Sequence, residues 1–231
     1  MNELGHWVRT YTFGEHTLSF NLDTIFTMWL AMLILIVLAF IATRHLEIVP
    51  SKLQAACESI MNAISDTMNS FLPEKGAKHV PFVASLFLFI LTANLIGQIP
   101  LRVIHLKSGE LAAPTNDINV TAGLAIIVLV YYVGLGFMTK KEKFLLHEVS
   151  ISGFIMMFVE ILEMITRPLS LAIRLFANIL AGEILVTMML GIFAYFLPIP
   201  IMLFELLVAF IQATVFMMLT MTYIASAEGE H

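Results

Sequence analysis

Six charged residues, Glu160, Glu163, Arg167, Arg174, Glu183 and Glu205, interrupt an otherwise apolar sequence between Ile151 and Ala225. At about 100° per helical residue, Glu160, Glu163, Arg167, Ser170, Arg174 and Asn178 share one face of a helix. Glu183, nine residues past Arg174, falls about half a turn away. Glu205 and Gln212, seven apart, share a face of the next helix, so the two helices can bring Glu183, Glu205 and Gln212 together. Carboxylates can take up and release protons, especially where desolvation raises their pKa. An arginine stays protonated at any accessible pH, so Arg174 can repel cations or attract anions but cannot relay a proton. Exchangeable groups interrupted by one fixed cation indicate two half-paths kept apart. Glu163 can instead pair with Arg167, and Glu160, near a helix end, can snorkel to an interface. For Arg174 these alternatives are weaker, because it lies seven residues beyond Arg167, too deep to snorkel easily, with no same-helix carboxylate four residues away.

These charges are costly because of where they sit. Of 231 residues, 59% are hydrophobic and 13% charged, against about 25% charged in soluble domains. No charge falls between Thr24 and Thr43, Val80 and Leu101, or Thr121 and Thr139, and each gap is long enough to cross a bilayer. A charge at membrane depth costs about 2.5 to 3.5 kcal/mol and, as a rule, faces water or an opposite charge.

The elements that must position the stripe follow from the same pattern. Spans are expected at 24–43, 80–99 and 121–138. Between the first two, Leu53, Ala56, Cys57, Ile60, Ile64, Met68 and Phe71 recur at helical spacing among polar residues, so 51–72 is expected to be an amphipathic helix at the membrane surface, with a soluble partner-binding helix as the alternative. Lys140, Lys141 and Lys143, with Arg44 and Lys52, are placed in the cytoplasm by the positive-inside rule, which leaves the N-terminus outside. Ile151 to Leu197 would be roughly 70 Å long if helical, so it either breaks near Arg167-Pro168 or runs tilted; the residues themselves slightly favour the break. Leu197-Pro198-Ile199-Pro200 then turns into a last helix over 199–226. The expectation is an all-α polytopic membrane protein, one membrane domain over 1–231, with about five crossing helices and one surface helix.

Other chemistries are excluded. The net charge of −5 has no basic run of the kind nucleic acid needs. Cys57, the single cysteine, allows no intrachain disulfide or thiolate cluster. His147-Glu148 is followed by Ile151 where a zinc-protease helix needs its second histidine, and no G-x-S-x-G or Walker A pattern exists, so no metal, cofactor or nucleotide site is expected. The N-terminal segment, with Asn2, Glu3, His6 and Arg9, has no cleavage-site pattern ahead of the first span, which is expected to stay attached. A stand-alone secondary transporter is the alternative, and its inverted repeat and broken helices are not visible.

The run Arg167-Pro-Leu-Ser-Leu-Ala-Ile-Arg174-Leu-Phe-Ala-Asn178-Ile-Leu-Ala-Gly182-Glu183 resembles the signature of subunit a of bacterial F-type ATP synthases. Pro114-Thr-Asn-Asp117-Ile-Asn119-Val-Thr121, and Phe210-Ile-Gln212-Ala-Thr-Val-Phe216 with Leu219-Thr220 and Tyr223, resemble two further segments of that family. The resemblance implies a stator subunit in the bacterial plasma membrane, beside a rotating c-subunit ring and a b-subunit peripheral stalk, with two offset half-channels for H⁺ or Na⁺ leading to the ring. It implies that Arg174 faces the ring and forces each arriving carboxylate to release its ion. Asn178, Glu183, Glu205 and Gln212 match outer half-channel positions and Glu160 the cytoplasmic one; Ser170 and Glu163, on the same helical stripe, are read as part of the ion path, and Asn116, Asp117 and Asn119 as its outer-loop access. It further implies last helices that are long, tilted and unbroken, and a cytoplasmic C-terminus. Two positions depart: Gly97 stands where some relatives carry an acid, and Glu205 where several carry histidine. The second places two carboxylates, Glu183 and Glu205, where their titrations would couple.

Overall fold

A computed structural model describes residues 8–13, 16–44, 46–98, 114–140, 151–192 and 198–228. Six helices dominate it: α1 (Leu22–Thr43), α2 (Lys52–Phe71), α3 (Val80–Gln98), α4 (Ile118–Lys140), α5 (Ile151–Ile192) and α6 (Pro198–Glu228). The protein is an all-α polytopic membrane protein, as the composition predicts. An antiparallel hairpin of β1 (Val8–Phe13) and β2 (His16–Asn21) precedes α1, pairing Val8 with Asn21 and Phe13 with His16. Hydropathy gave no warning of it, because the segment is short and polar.

Among the described residues, four helices, α1, α3, α4 and α6, are long and apolar enough to cross a membrane. On α1, Trp29, Leu33, Ile36 and Phe40 are exposed, as expected of a helix solvated by lipid rather than water. Asp23 in its first turn complements the helix dipole, and Thr27 Oγ1 bonds back to the carbonyls of Asp23 and Thr24.

Helix α2 is strongly amphipathic, and Ser51 caps it by accepting from the Gln54 N–H at 3.3 Å. Of its apolar stripe, Ile64 and Met68 are buried, while Leu53 and Ile60 are exposed, which suits a helix lying in an interface. Its exit is tight. Leu72 N donates to Met68 O and Gly76 N to Leu72 O, and a 3₁₀ turn over Gly76–Lys78 leads into α3. A Cβ on Gly76 would lie 3.2 Å from Met68 O, so a larger residue there would require that carbonyl to give way by a few tenths of an ångström.

Helix α5 corrects one expectation: it runs unbroken for 42 residues through Pro168. At 1.5 Å per residue that is about 63 Å. Loss of one donor does not break a helix flanked by neighbours, and Thr166 Oγ1 adds a bond to Glu163 O in the same turn. Helix α5 carries five charged positions. Residues 193–197 of the expected span lie outside the described residues. Pro198 and Pro200 fall in the first turn of α6, where their missing N–H groups have no intrahelical acceptor to leave unpaired.

By contacts the chain gathers into two compact units. The first comprises Met1–Leu46, Leu88–Asp117 and Phe176–Ile211; the second comprises Glu47–Phe87, Ile118–Leu175 and Gln212–His231.

Candidate functional site

In the second unit, α5 packs through Leu171, Ala172 and Leu175, all buried, and this leaves Glu163, Ser170 and Arg174 exposed on its other side. The face follows from periodicity, since residues 171 and 175 are one turn apart, as are 170 and 174. Arg167 is handled differently from Arg174. It donates to Glu163 one turn back, and its guanidinium lies 5.1 Å from the ring centroid of Tyr223 on α6. Tyr223 in turn packs against Tyr132 on α4, at 5.8 Å between centroids. The pairing of Glu163 with Arg167 is therefore real. Among the described residues, no carboxylate forms an ion pair with Arg174.

In the first unit, α5 and α6 enclose a cavity of about 250 Å³ lined by Asn178, Ile179, Ala181, Gly182, Leu185, Phe204, Glu205, Val208 and Ala209. Gly182 makes it possible: a Cβ there would lie 2.7 Å from Glu205 Oε1 and 3.1 Å from Glu205 Cδ. The carboxylate thus comes against the α5 backbone in a largely apolar cleft, with the exposed Asn178 one turn away.

Beside it lies a buried polar network. Thr115 Oγ1 donates to Asn94 Oδ1 at 2.9 Å, and Asn94 Nδ2 donates to Ala209 O at 3.4 Å, which ties the turn before α4 to α3 and α6. Two residues on, Asp117 Oδ2 accepts from Asn21 Nδ2 at 2.7 Å, so the end of the hairpin holds the loop carboxylate. Asn116 and Asp117 are half-buried and Asn119 is exposed.

The structure therefore brings Asn178 and Glu205 together across one cavity. It places Glu163, Ser170 and Arg174 on one exposed face, and Gln212 buried on α6 in the second unit. Glu160 and Glu183 occupy positions on α5, but their side chains lie outside the described residues, as do Lys141, Lys143 and the His147-Glu148 pair. Sequence reasoning passed over Asn21, Asn94, Thr115 and Tyr223 as site residues. A single asparagine in the uncharged run of α3 was the available signal, because a buried amide in lipid needs a partner.

These features define a polytopic membrane protein with one carboxylate, Glu205, set against the backbone between two long helices. The family model described as ATP synthase A chain matches residues 25–225. The chain is 42% identical over 215 residues to the ATP synthase subunit a of Gloeobacter violaceus, covering 93% of this chain and 87% of that one. The protein belongs to the ATP synthase A chain family.

Proposed function

We propose that this protein is the stator subunit of the membrane sector of a rotary ATP synthase, and that it provides two offset half-channels for H⁺ or Na⁺. The ions pass to and from the carboxylates of a c-subunit ring, with a b-subunit stalk and the remaining synthase subunits as further partners. The chain binds no nucleotide; it couples ion flow to rotation and hence to ATP synthesis. It sits in the bacterial plasma membrane, N-terminus outside and C-terminus in the cytoplasm, in keeping with the lysine cluster after α4.

The observation that carries the reading is the cavity between α5 and α6, where Gly182 admits the Glu205 carboxylate beside Asn178. A cleft at membrane depth holding an exchangeable carboxylate is what an ion half-path requires. Glu183, Glu205, Asn178 and Gln212 form the outer path, entered past Asn116, Asp117 and Asn119; Glu160 belongs to the cytoplasmic one, and Glu163 and Ser170 lie along the ion path. Arg174, on the uncovered face of α5, is the fixed barrier between them. Facing the ring, it pairs with each arriving carboxylate in its ionised form and so drives out the ion.

Cysteine accessibility tests the path. In a chain with Cys57 replaced by serine, Asn178→Cys should make ATP-driven ion transport sensitive to a small hydrophilic thiol reagent added from the outer side, whereas Leu171→Cys, in the buried face, should stay insensitive. Insensitivity of Asn178→Cys from both sides would reject an aqueous path at that cavity.

A further inference from the structure

Glu228 lies at the end of α6 in the second unit, and only 2% of its side chain is exposed. A carboxylate withdrawn from water is costly unless opposite charge meets it. The turn between α2 and α3 supplies that charge. Lys78 Nζ is 2.5 Å from Glu228 Oε1 and Lys75 Nζ is 3.1 Å from Oε2, so each oxygen has its own ammonium group. His79, whose side chain is 1% exposed, sets Nε2 3.4 Å from Oε1 and Nδ1 2.9 Å from the hydroxyl of Tyr131 on α4. In the tautomer protonated at Nε2, Tyr131 donates to Nδ1, while Nε2 faces Glu228 as a neighbour and not as an aligned hydrogen-bond donor. Stacking of Tyr131 on Phe82, with centroids 3.8 Å apart, holds the phenol in place.

This is a site built for one carboxylate, away from the α5 stripe. Five residues back along the same helix, Tyr223 presents its ring to Arg167, which is also held by Glu163. Arg174 follows Arg167 by two turns on α5. A helix transmits displacement along its axis, so the anchor at Glu228 sets where Tyr223 meets Arg167.

We propose that Glu228 is a positioning residue: locked by Lys75, Lys78 and His79, it pins the end of α6 to the start of α3 and, through Tyr223 and Arg167, holds the face of α5 that presents Arg174. The inference rests on the reading of Arg174 given above.

The test uses the whole assembled synthase in vesicles, with ions transported per ATP hydrolysed as the readout and the amount of this subunit in the purified complex as the control. Glu228→Gln should lower transport per ATP by about fivefold while the subunit is retained, and Tyr223→Leu should do the same. Because both act on one contact, the combined variant should be no worse than the worse single one. Exchanging the charges, Glu228→Lys with Lys78→Glu, should restore at least half of the loss. A ratio within about twofold of the parent in Glu228→Gln, or losses that multiply in the combined variant, would overturn the proposal. If Glu228→Gln does not assemble, Lys78→Gln, which leaves Lys75 in place, is read against the same thresholds. Arg174→Ala run in parallel separates the two claims: full coupling in that variant defeats the barrier, whereas loss there with normal Glu228→Gln defeats only the anchor.

Discussion

The Cβ position of Gly182 on α5 lies 2.7 Å from Oε1 of Glu205 on α6, a separation that no side chain at 182 would permit. The carboxylate reaches the α5 backbone because residue 182 has none. Gly182→Ala should therefore displace Glu205 and lower ion transport by about tenfold, about 1.4 kcal/mol of barrier, without unfolding the protein, since the displaced group is the flexible end of a side chain. Glu205→Asp, one methylene shorter, should recover part of the rate in the Gly182→Ala background. ATP-driven ion uptake by vesicles measures both, and undiminished uptake in Gly182→Ala would show that the close approach is dispensable.

Asn94 offers a separate check on stability. Asn94→Leu removes the donor to Ala209 O and the acceptor of the Thr115 hydroxyl, leaving two buried polar groups short of a partner. A cost of about 1 to 3 kcal/mol is expected, seen as earlier thermal unfolding of the detergent-purified protein. An unchanged transition would mean that this network contributes little.

How much of this could be read beforehand differs by element. The charge-free runs announced three spans, and the α5 stripe followed from period alone: residues 163, 170, 174 and 178 are exposed as one face. Which side of α6 packs inward was not legible. Its buried stripe, Ala209, Gln212, Ala213, Phe216, Met217, Thr220 and Met221, is no more apolar than its exposed Leu203, Phe204 and Leu207, since lipid and protein interior select the same residue types. Proline rules favoured a break at Pro168, and neighbours overrode them. The contact of Gly182 with Glu205 is tertiary and carries no local signal, and the Glu228 anchor joins residues 150 positions apart.

Acid should loosen that anchor. Burial, helped by the neighbouring Lys78, pushes the His79 pKa below its ordinary value of 6.5, outweighing the pull of Glu228 toward protonation. A depressed pKa in the folded state means that unfolding takes up a proton, so the contribution is fully present above pH 6.5 and is lost as pH falls through the folded value. Among the described residues, Lys75, Lys78, Glu228 and Tyr131 are charged or titratable groups that face this anchor. His79→Gln cannot titrate there, so its thermal stability should fall less steeply than the parent's below pH 6.5. Parallel pH profiles would exclude His79 as the source.

Gly76 tests the same region without altering charge. With Met68 O 3.2 Å and Asn69 Oδ1 3.0 Å from its Cβ position, Gly76→Val forces the turn open and should destabilise by about 1 to 3 kcal/mol. The result to look for is earlier proteolysis between α2 and α3; resistance equal to the parent's would show that the turn yields freely.

The central claim is that Arg174 acts as a fixed cation between two ion paths. Its most direct test is ion-driven ATP synthesis by reconstituted vesicles carrying Arg174→Ala or Arg174→Lys, normalised to assembled complex. Both should fall by at least about a hundredfold with assembly intact, because alanine has no charge and a desolvated lysine can lose its proton and lacks the planar fork. Synthesis near the parent rate in Arg174→Ala would contradict the account.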